Sequence, residues 1–129
     1  MATLRQIYFI LLFILILFKN VHAEPISGNL VFLHVLDKVT SRVDVIEIQV
    51  GEIVEFASLR IEILLCKRRP PEEVPEDFVL LKIDDRISQE NFETVFQGWM
   101  ISSSPTVTPF EHPTYDVWVK DCKIDIESE

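Results

Sequence analysis

Cysteine is scarce in this 129-residue sequence, with only Cys66 and Cys122. Two are too few for a disulfide-dense mini-protein or a four-cysteine zinc site. Their spacing is not the Cys-x-x-Cys of a redox pair. Basic residues are also few: 12 Lys and Arg stand against 21 Asp and Glu, for a net charge of −9. Non-specific nucleic-acid binding rests on phosphate neutralisation and needs the opposite balance. No apolar run reaches the roughly 20 residues of a membrane-crossing helix. Neither a Gly-x-Ser-x-Gly elbow nor an Asp-x-Asp-x-Asp calcium loop is present. The length allows one domain, and an apolar content of 48% is too high for a disordered chain.

The apolar residues that are present are unevenly placed. Residues 7–18 form an unbroken apolar run with Arg5 before it and Val21-His22-Ala23 after Lys19 and Asn20. That is the layout of a secretory signal, with cleavage expected after Ala23. An uncleaved anchor is the alternative, and the run is short for it. All 21 acidic residues lie at or after Glu24, whereas Arg5 and Lys19 precede it. The expected mature chain, 24–129, therefore carries ten basic and 21 acidic residues and a net charge of −11. An exported chain meets an oxidising compartment, where two cysteines predict a Cys66–Cys122 disulfide; two buried free thiols are the alternative.

The rest reads as short strands. Residues 24–29, with Pro25, Ser27 and Gly28, form a linker. Residues 30–36 are a nearly continuous apolar run of strand length. Residues 42–50 alternate, but Val43 and Val45 fall on one parity and Ile46, Ile48 and Val50 on the other, which predicts a bulge. Residues 53–56 and 59–66 follow, and in the second Leu59, Ile61, Ile63 and Leu65 are expected on one face. Residues 67–77 hold Pro70, Pro71 and Pro75 and break the pattern. Residues 78–83, 92–101 and 115–123 are further strands. Residues 87–91 form a polar connector or one helical turn, 102–112 a loop, and 125–129 an acidic tail. The whole is an all-β domain, an antiparallel β-sandwich or small barrel over 30–124, preceded by a signal-peptide helix. The immunoglobulin pattern is absent, because Trp99 lies far beyond Cys66 and Lys120 stands where the corner tyrosine belongs.

Three groups of residues are candidates for function. His112 and Asp116 lie four apart, and Ser102, Ser103 or Ser104 would complete a hydrolase triad. The structural alternative has the His112-Pro113 segment shaping the start of the last strand, with side chains capping loop backbone, and it is preferred. A metal would need His112 with His34 and carboxylates, too thin a set for zinc. Lys67, Arg68, Arg69, Pro70, Pro71, Glu72 and Glu73 separate charge around a stiff diproline and are the best candidate for a docking loop. Trp99 and Trp118, with His112, Tyr115 and Asp116, form a candidate binding cluster if exposed; in so small a domain both tryptophans are expected in the core. Trp118 shares its strand parity with Cys122, so it is expected along the face of the disulfide.

Four ordered motifs carry a resemblance. They are Leu36-Asp37-Lys38-Val39-Thr40, Cys66-Lys67-Arg68-Arg69-Pro70-Pro71-Glu72-Glu73, Gly98-Trp99-Met100-Ile101-Ser102-Ser103-Ser104-Pro105 and the run from Glu111 to Cys122. Together they resemble an uncharacterised alphaproteobacterial family, domain of unknown function 2155, over residues 35–122. The resemblance implies an export signal and a small domain, and it brings no activity, cofactor or catalytic residue. One departure is Leu65-Cys66-Lys67, where an aromatic is expected beside the cysteine.

The expectation is a periplasmic or secreted module without catalytic residues, cofactor or metal. It would act on another envelope protein, with no nucleic acid and no membrane span once the signal is cleaved. A small-ligand, glycan or metal binder is the alternative, and a hydrolase using the His112 segment the third reading.

Overall fold

A computed structural model describes residues 3–17 and 23–124. Val21 and His22 of the expected cleavage segment, and the 125–129 tail, lie outside them. Residues of the N-terminal apolar run form a helix, α1 (Leu4–Leu17), with no buried side chain. At about 1.5 Å per residue it is roughly 21 Å long, short of the bilayer core. No helix among the described residues is long and apolar enough to cross a membrane.

The remaining elements are strands: β1 (Ile26–Ser27), β2 (Leu30–Asp37), β3 (Arg42–Gln49), β4 (Ile53–Phe56), β5 (Leu59–Arg68), β6 (Asp77–Arg86), β7 (Phe92–Ile101) and β8 (Tyr115–Lys123). They make two antiparallel sheets. One has the order β1-β5-β6-β7, with β4 also on β5; the other is β3-β2-β8. The sheets face each other as a sandwich, not a closed barrel.

Alternation places the core. Val31, Leu33 and Val35 of β2, Leu59, Ile61 and Ile63 of β5, and Val79, Leu81 and Ile83 of β6 are fully buried. Val117 and Val119 of β8 and Met100 of β7 complete the layer between the sheets. Since these strands are rich in β-branched residues with period two, they pack as sheets and leave Lys82, Asp84, Arg60 and Glu62 outside.

Three register shifts correct the sequence reading. On β5, Leu64 is the extra residue between Ile63↔Leu81 and Leu65↔Leu80. The parity flips there, so Leu65 is exposed and Cys66 buried, contrary to the expected common face of Leu59 to Leu65. On β8, Lys120 is the extra residue between Val119 and Asp121. Cys122 therefore points inward with Val117 and Val119, and Trp118 lies on the other face, not along the disulfide. On β7, Val95 is the extra residue against β6. The bulge expected in 42–50 is absent, for β3 pairs with β2 without a shift from Arg42 to Gln49. Its phase change has a simpler origin: Ile46 and Ile48 face the core, while Val43 and Val45 are exposed on an edge strand.

Smaller corrections concern the connections. Residues 24–29 include β1, which pairs with Lys67 and Arg68, so those two residues are strand and not loop. No helical turn forms at 87–91, which closes by hydrogen bonds between Ile87, Ser88 and Asn91.

Cys66 of one sheet and Cys122 of the other are joined, with Cα atoms 6.1 Å apart and a sequence separation of 56. The backbone of residues 28 and 29 crosses this bridge. Gly28 N–H donates to Cys66 O, and Asn29 N–H to Lys123 O. A Cβ on residue 28 would sit 2.5 Å from Cys122 Sγ and 2.9 Å from Cys66 Sγ, so glycine is required by close approach.

Candidate functional site

The disulfide closes one end of the sandwich, and an aromatic stack closes the other. Phe110 and His112 are both buried, although they belong to the loop between β7 and β8. Phe110 meets Phe96 of β7 edge-on and stacks on His112, with ring centroids 5.7 Å apart. His112 stacks in turn on Tyr115 at 5.4 Å, and Tyr115 meets Phe56 of β4 edge-on. The ladder thus ties β7, the loop, β8 and β4.

His112 is also the hydrogen-bonding hub of that end. Its Nδ1 accepts from the backbone N–H of Thr114 and of Tyr115, each at 3.1 Å. An Nδ1 that accepts carries no proton, so Nε2 is the donor, and it reaches Asp85 Oδ2 at 3.0 Å. Asp85 Oδ1 accepts from Ser58 Oγ at 2.6 Å. Lys38 Nζ donates to His112 O at 2.8 Å and pairs with Asp116 at 2.9 Å. The acid beside His112 is therefore Asp85, not Asp116. Ser102 and Ser103 are held elsewhere, both hydroxyls donating to the Glu76 carboxylate. The structure does not assemble the triad considered from the sequence.

Two carboxylates are shifted downward by such contacts. Partial burial alone would raise Asp85, but the hydrogen bonds it accepts from the Ser58 hydroxyl, the His112 ring and the Arg86 N–H together hold it below its ordinary value. Burial likewise acts upward on Glu76, and Ser103, Ser102 and Arg69 outweigh it. Asp77 goes the other way. Its burial prevails over the Arg68 guanidinium and the Cys122 N–H, and the neighbouring Asp121 adds to the rise. A carboxyl lowered in the fold adds stability above its unfolded value that is lost as pH falls through its folded value. For Asp85 that loss begins below the ordinary value of 3.8. Asp85→Asn is expected to lose less stability than wild type between about pH 5 and about pH 2.5. Urea unfolding at both pH values measures it, and equal losses would show that this carboxyl is not linked to folding.

The candidate docking loop divides into a fixed half and an exposed tip. Arg68 is committed to Asp77 at 3.0 Å and Asp121 at 2.9 Å. Arg69 lies over the Phe78 ring at 5.7 Å and 3.9 Å from Glu73. Pro70 is buried, whereas Pro71, Glu72, Glu73 and Val74 are exposed. Lys67 donates to Ser27 Oγ at 2.5 Å and lines a shallow apolar pocket of about 260 Å³ with Pro25, Phe78 and Trp99. Trp99 is 41% exposed, contrary to the core position expected for it. Beside it on the outer sheet face run Leu80 and Leu65.

The candidate cluster thus separates. His112 and Tyr115 belong to the end stack, and Asp116 to Lys38. Trp118 stacks on His34 at 5.2 Å on the outer face of β3-β2-β8. Trp99 stands on the outer face of the other sheet, next to Lys67. Among the described residues no group of three or more His, Cys, Asp or Glu is placed to hold a metal. Sequence reasoning missed Asp85, Ser58, Glu76 and Phe110. Asp84-Asp85 carries the signal of a turn, and nothing in a loop between prolines marks Phe110 as buried.

The family described as "Uncharacterized protein conserved in bacteria (DUF2155)" matches residues 31–122. An uncharacterised protein of Rickettsia prowazekii (strain Madrid E) is 32% identical over 87 residues, which are 67% of this chain and 56% of that protein. The chain thus spans little more than half the length of that relative. No solved structure matches the chain. The matched segment runs from β2 to Cys122 and so includes both sheets, the bridge and the His112 stack: the chain belongs to the DUF2155 family of bacterial proteins.

Proposed function

We propose that this protein is an exported, non-enzymatic β module of the cell envelope that acts by binding another protein. The observation that carries the reading is the Trp99 face. A tryptophan 41% exposed, with Phe78, Pro25 and the Lys67 stem around it, stands on a rigid sheet. An exposed aromatic beside apolar neighbours and a cation is the usual make-up of an interface anchor. The groups that could do chemistry are engaged in holding loops, as the bonds of His112, Asp85 and Glu76 illustrate. The apolar leader and the buried bridge fit export to an oxidising compartment.

Affinity capture from bacterial envelope extracts tests this. The wild-type chain is expected to retain a defined partner, and Trp99→Ala to recover about tenfold less of it, the loss of a typical interface anchor. Equal recovery by the two would reverse the reading. A small-ligand site is the second reading, favoured by the apolar lining of the Trp99 pocket. Saturable quenching of Trp99 fluorescence by a pyranoside, abolished in Trp99→Ala, would support it.

A further inference from the structure

The loop from β7 to β8 leaves a cleft of about 250 Å³ along β8, with Pro105, Pro109 and Phe110 on one wall and Asp116, Val117 and Trp118 on the other. Three consecutive residues of a strand point to alternate faces. What they share towards the cleft is their backbone edge. Among the described residues β8 has β2 on one side and no strand on the other.

The hydrogen-bond pattern says which groups face that edge. Lys38 N–H donates to Thr114 O at 2.8 Å. In an antiparallel pair bonded residues alternate. With the register Leu36↔Asp116, Val35↔Val117 and His34↔Trp118, Asp116 and Trp118 bond to β2. Tyr115 and Val117 then turn their N–H and C=O outward. The Tyr115 N–H is taken by His112 Nδ1, as this phase requires. Further along, the Cys122 N–H turns towards the Asp77 carboxyl of the other sheet. Between these two caps, Val117 N–H and C=O have no partner among the described residues. The facing loop cannot supply a full strand, because Pro105 and Pro109 have no N–H.

We propose, building on the interaction-module reading, that this cleft receives an extended peptide segment of another protein, which pairs its main chain with Val117 as an added strand. The cleft's mixed character fits that occupant. Its backbone groups want one acceptor and one donor, which a single residue of an antiparallel segment supplies, and its apolar walls, Trp118 and Pro109, take one apolar side chain. This is strand addition at a sheet edge, in which main-chain bonds give affinity and the side-chain pocket gives selectivity. The acidic chain makes a basic or neutral segment the better fit.

The test uses residues 24–129, since α1 contributes no buried side chain and no strand pairing to the domain. In the free domain the Val117 amide is expected to exchange about tenfold faster than those of Asp116 and Trp118, being unpaired. A peptide selected from random displayed decapeptides should slow it about tenfold on binding. N-methylation of the peptide's pairing residue should weaken binding about tenfold, by removing a main-chain donor. Val117→Pro should do the same while still unfolding cooperatively, because an edge N–H is dispensable to the sheet. If that variant does not fold, the N-methyl peptide decides. The proposal is overturned if the free Val117 amide is as protected as its neighbours, or if no peptide can be selected. It is equally overturned if the peptide protects the Trp99 face instead, or if Val117 protection disappears when residues 125–129 are removed, which would give the edge to the chain's own tail. Envelope capture that depends on Trp99, with β8 unaffected, would leave the module reading standing without this site.

Discussion

Replacing Cys66 and Cys122 together by alanine is expected to lower the unfolding free energy by about 4 kcal/mol. The bridge spans 56 positions, most of the domain, so its removal frees an unfolded chain that was strongly constrained. It also joins strands of different sheets, which otherwise adhere mainly by side-chain packing. The two sulfurs are buried beneath the 28–29 backbone, so the variant loses packing there as well. In a domain of this size a loss of 1 kcal/mol lowers the midpoint by about 4–8 °C, and the full effect is about 15–30 °C. Thermal unfolding followed by circular dichroism measures it. Wild-type protein reduced while unfolded and then refolded under reductant should match the double variant. A shift of only a few degrees would mean that the bridge is not what holds this end of the sandwich.

Much of this architecture could be read from residue order. β2, β5 and β6 announce themselves because Val31, Leu33 and Val35, then Leu59, Ile61 and Ile63, then Val79, Leu81 and Ile83 recur at period two. The cysteine pairing followed from the count and from the compartment expected of the N-terminal apolar run. The bulges at Leu64, Val95 and Lys120 left no readable mark. Each is an ordinary residue, and what makes it an extra one is the partner strand, a tertiary fact. One unread bulge on each strand, Leu64 on β5 and Lys120 on β8, was enough to misplace Leu65 and Trp118, because a shift of one residue inverts every side chain beyond it.

The candidate site was legible as residues and not as groupings. His112, Trp99 and the Lys67 to Glu73 segment were all visible as unusual features. Their proximity depended on strand order. The pairings Lys67↔Phe78 and Leu80↔Trp99 bring Lys67 within reach of Trp99 across β6. Meanwhile Asp85, 27 positions from His112, proved its partner in place of the nearby Asp116. Local spacing identifies a partner only when both residues share one element, and here they came from different ones.

The second large effect is expected at His112, and its size depends on what replaces the ring. His112→Ala removes the middle of the aromatic ladder and both backbone caps, at a cost of about 3–5 kcal/mol, comparable to a buried aromatic truncated in a core. His112→Phe keeps a ring between Phe110 and Tyr115 but orphans the Thr114 and Tyr115 N–H groups; about 2–3 kcal/mol is expected. His112→Asn loses the ring but offers an amide oxygen near the position of Nδ1, so part of the cap survives. If the caps dominate, asparagine should be the mildest of the three in urea unfolding. If phenylalanine is milder, stacking dominates and the hydrogen-bonding account of this end fails. A catalytic histidine would behave otherwise: its replacement would abolish an activity and leave stability nearly unchanged. The buried ring, with Nδ1 and Nε2 both engaged by structural partners, leads us to expect the stability effect.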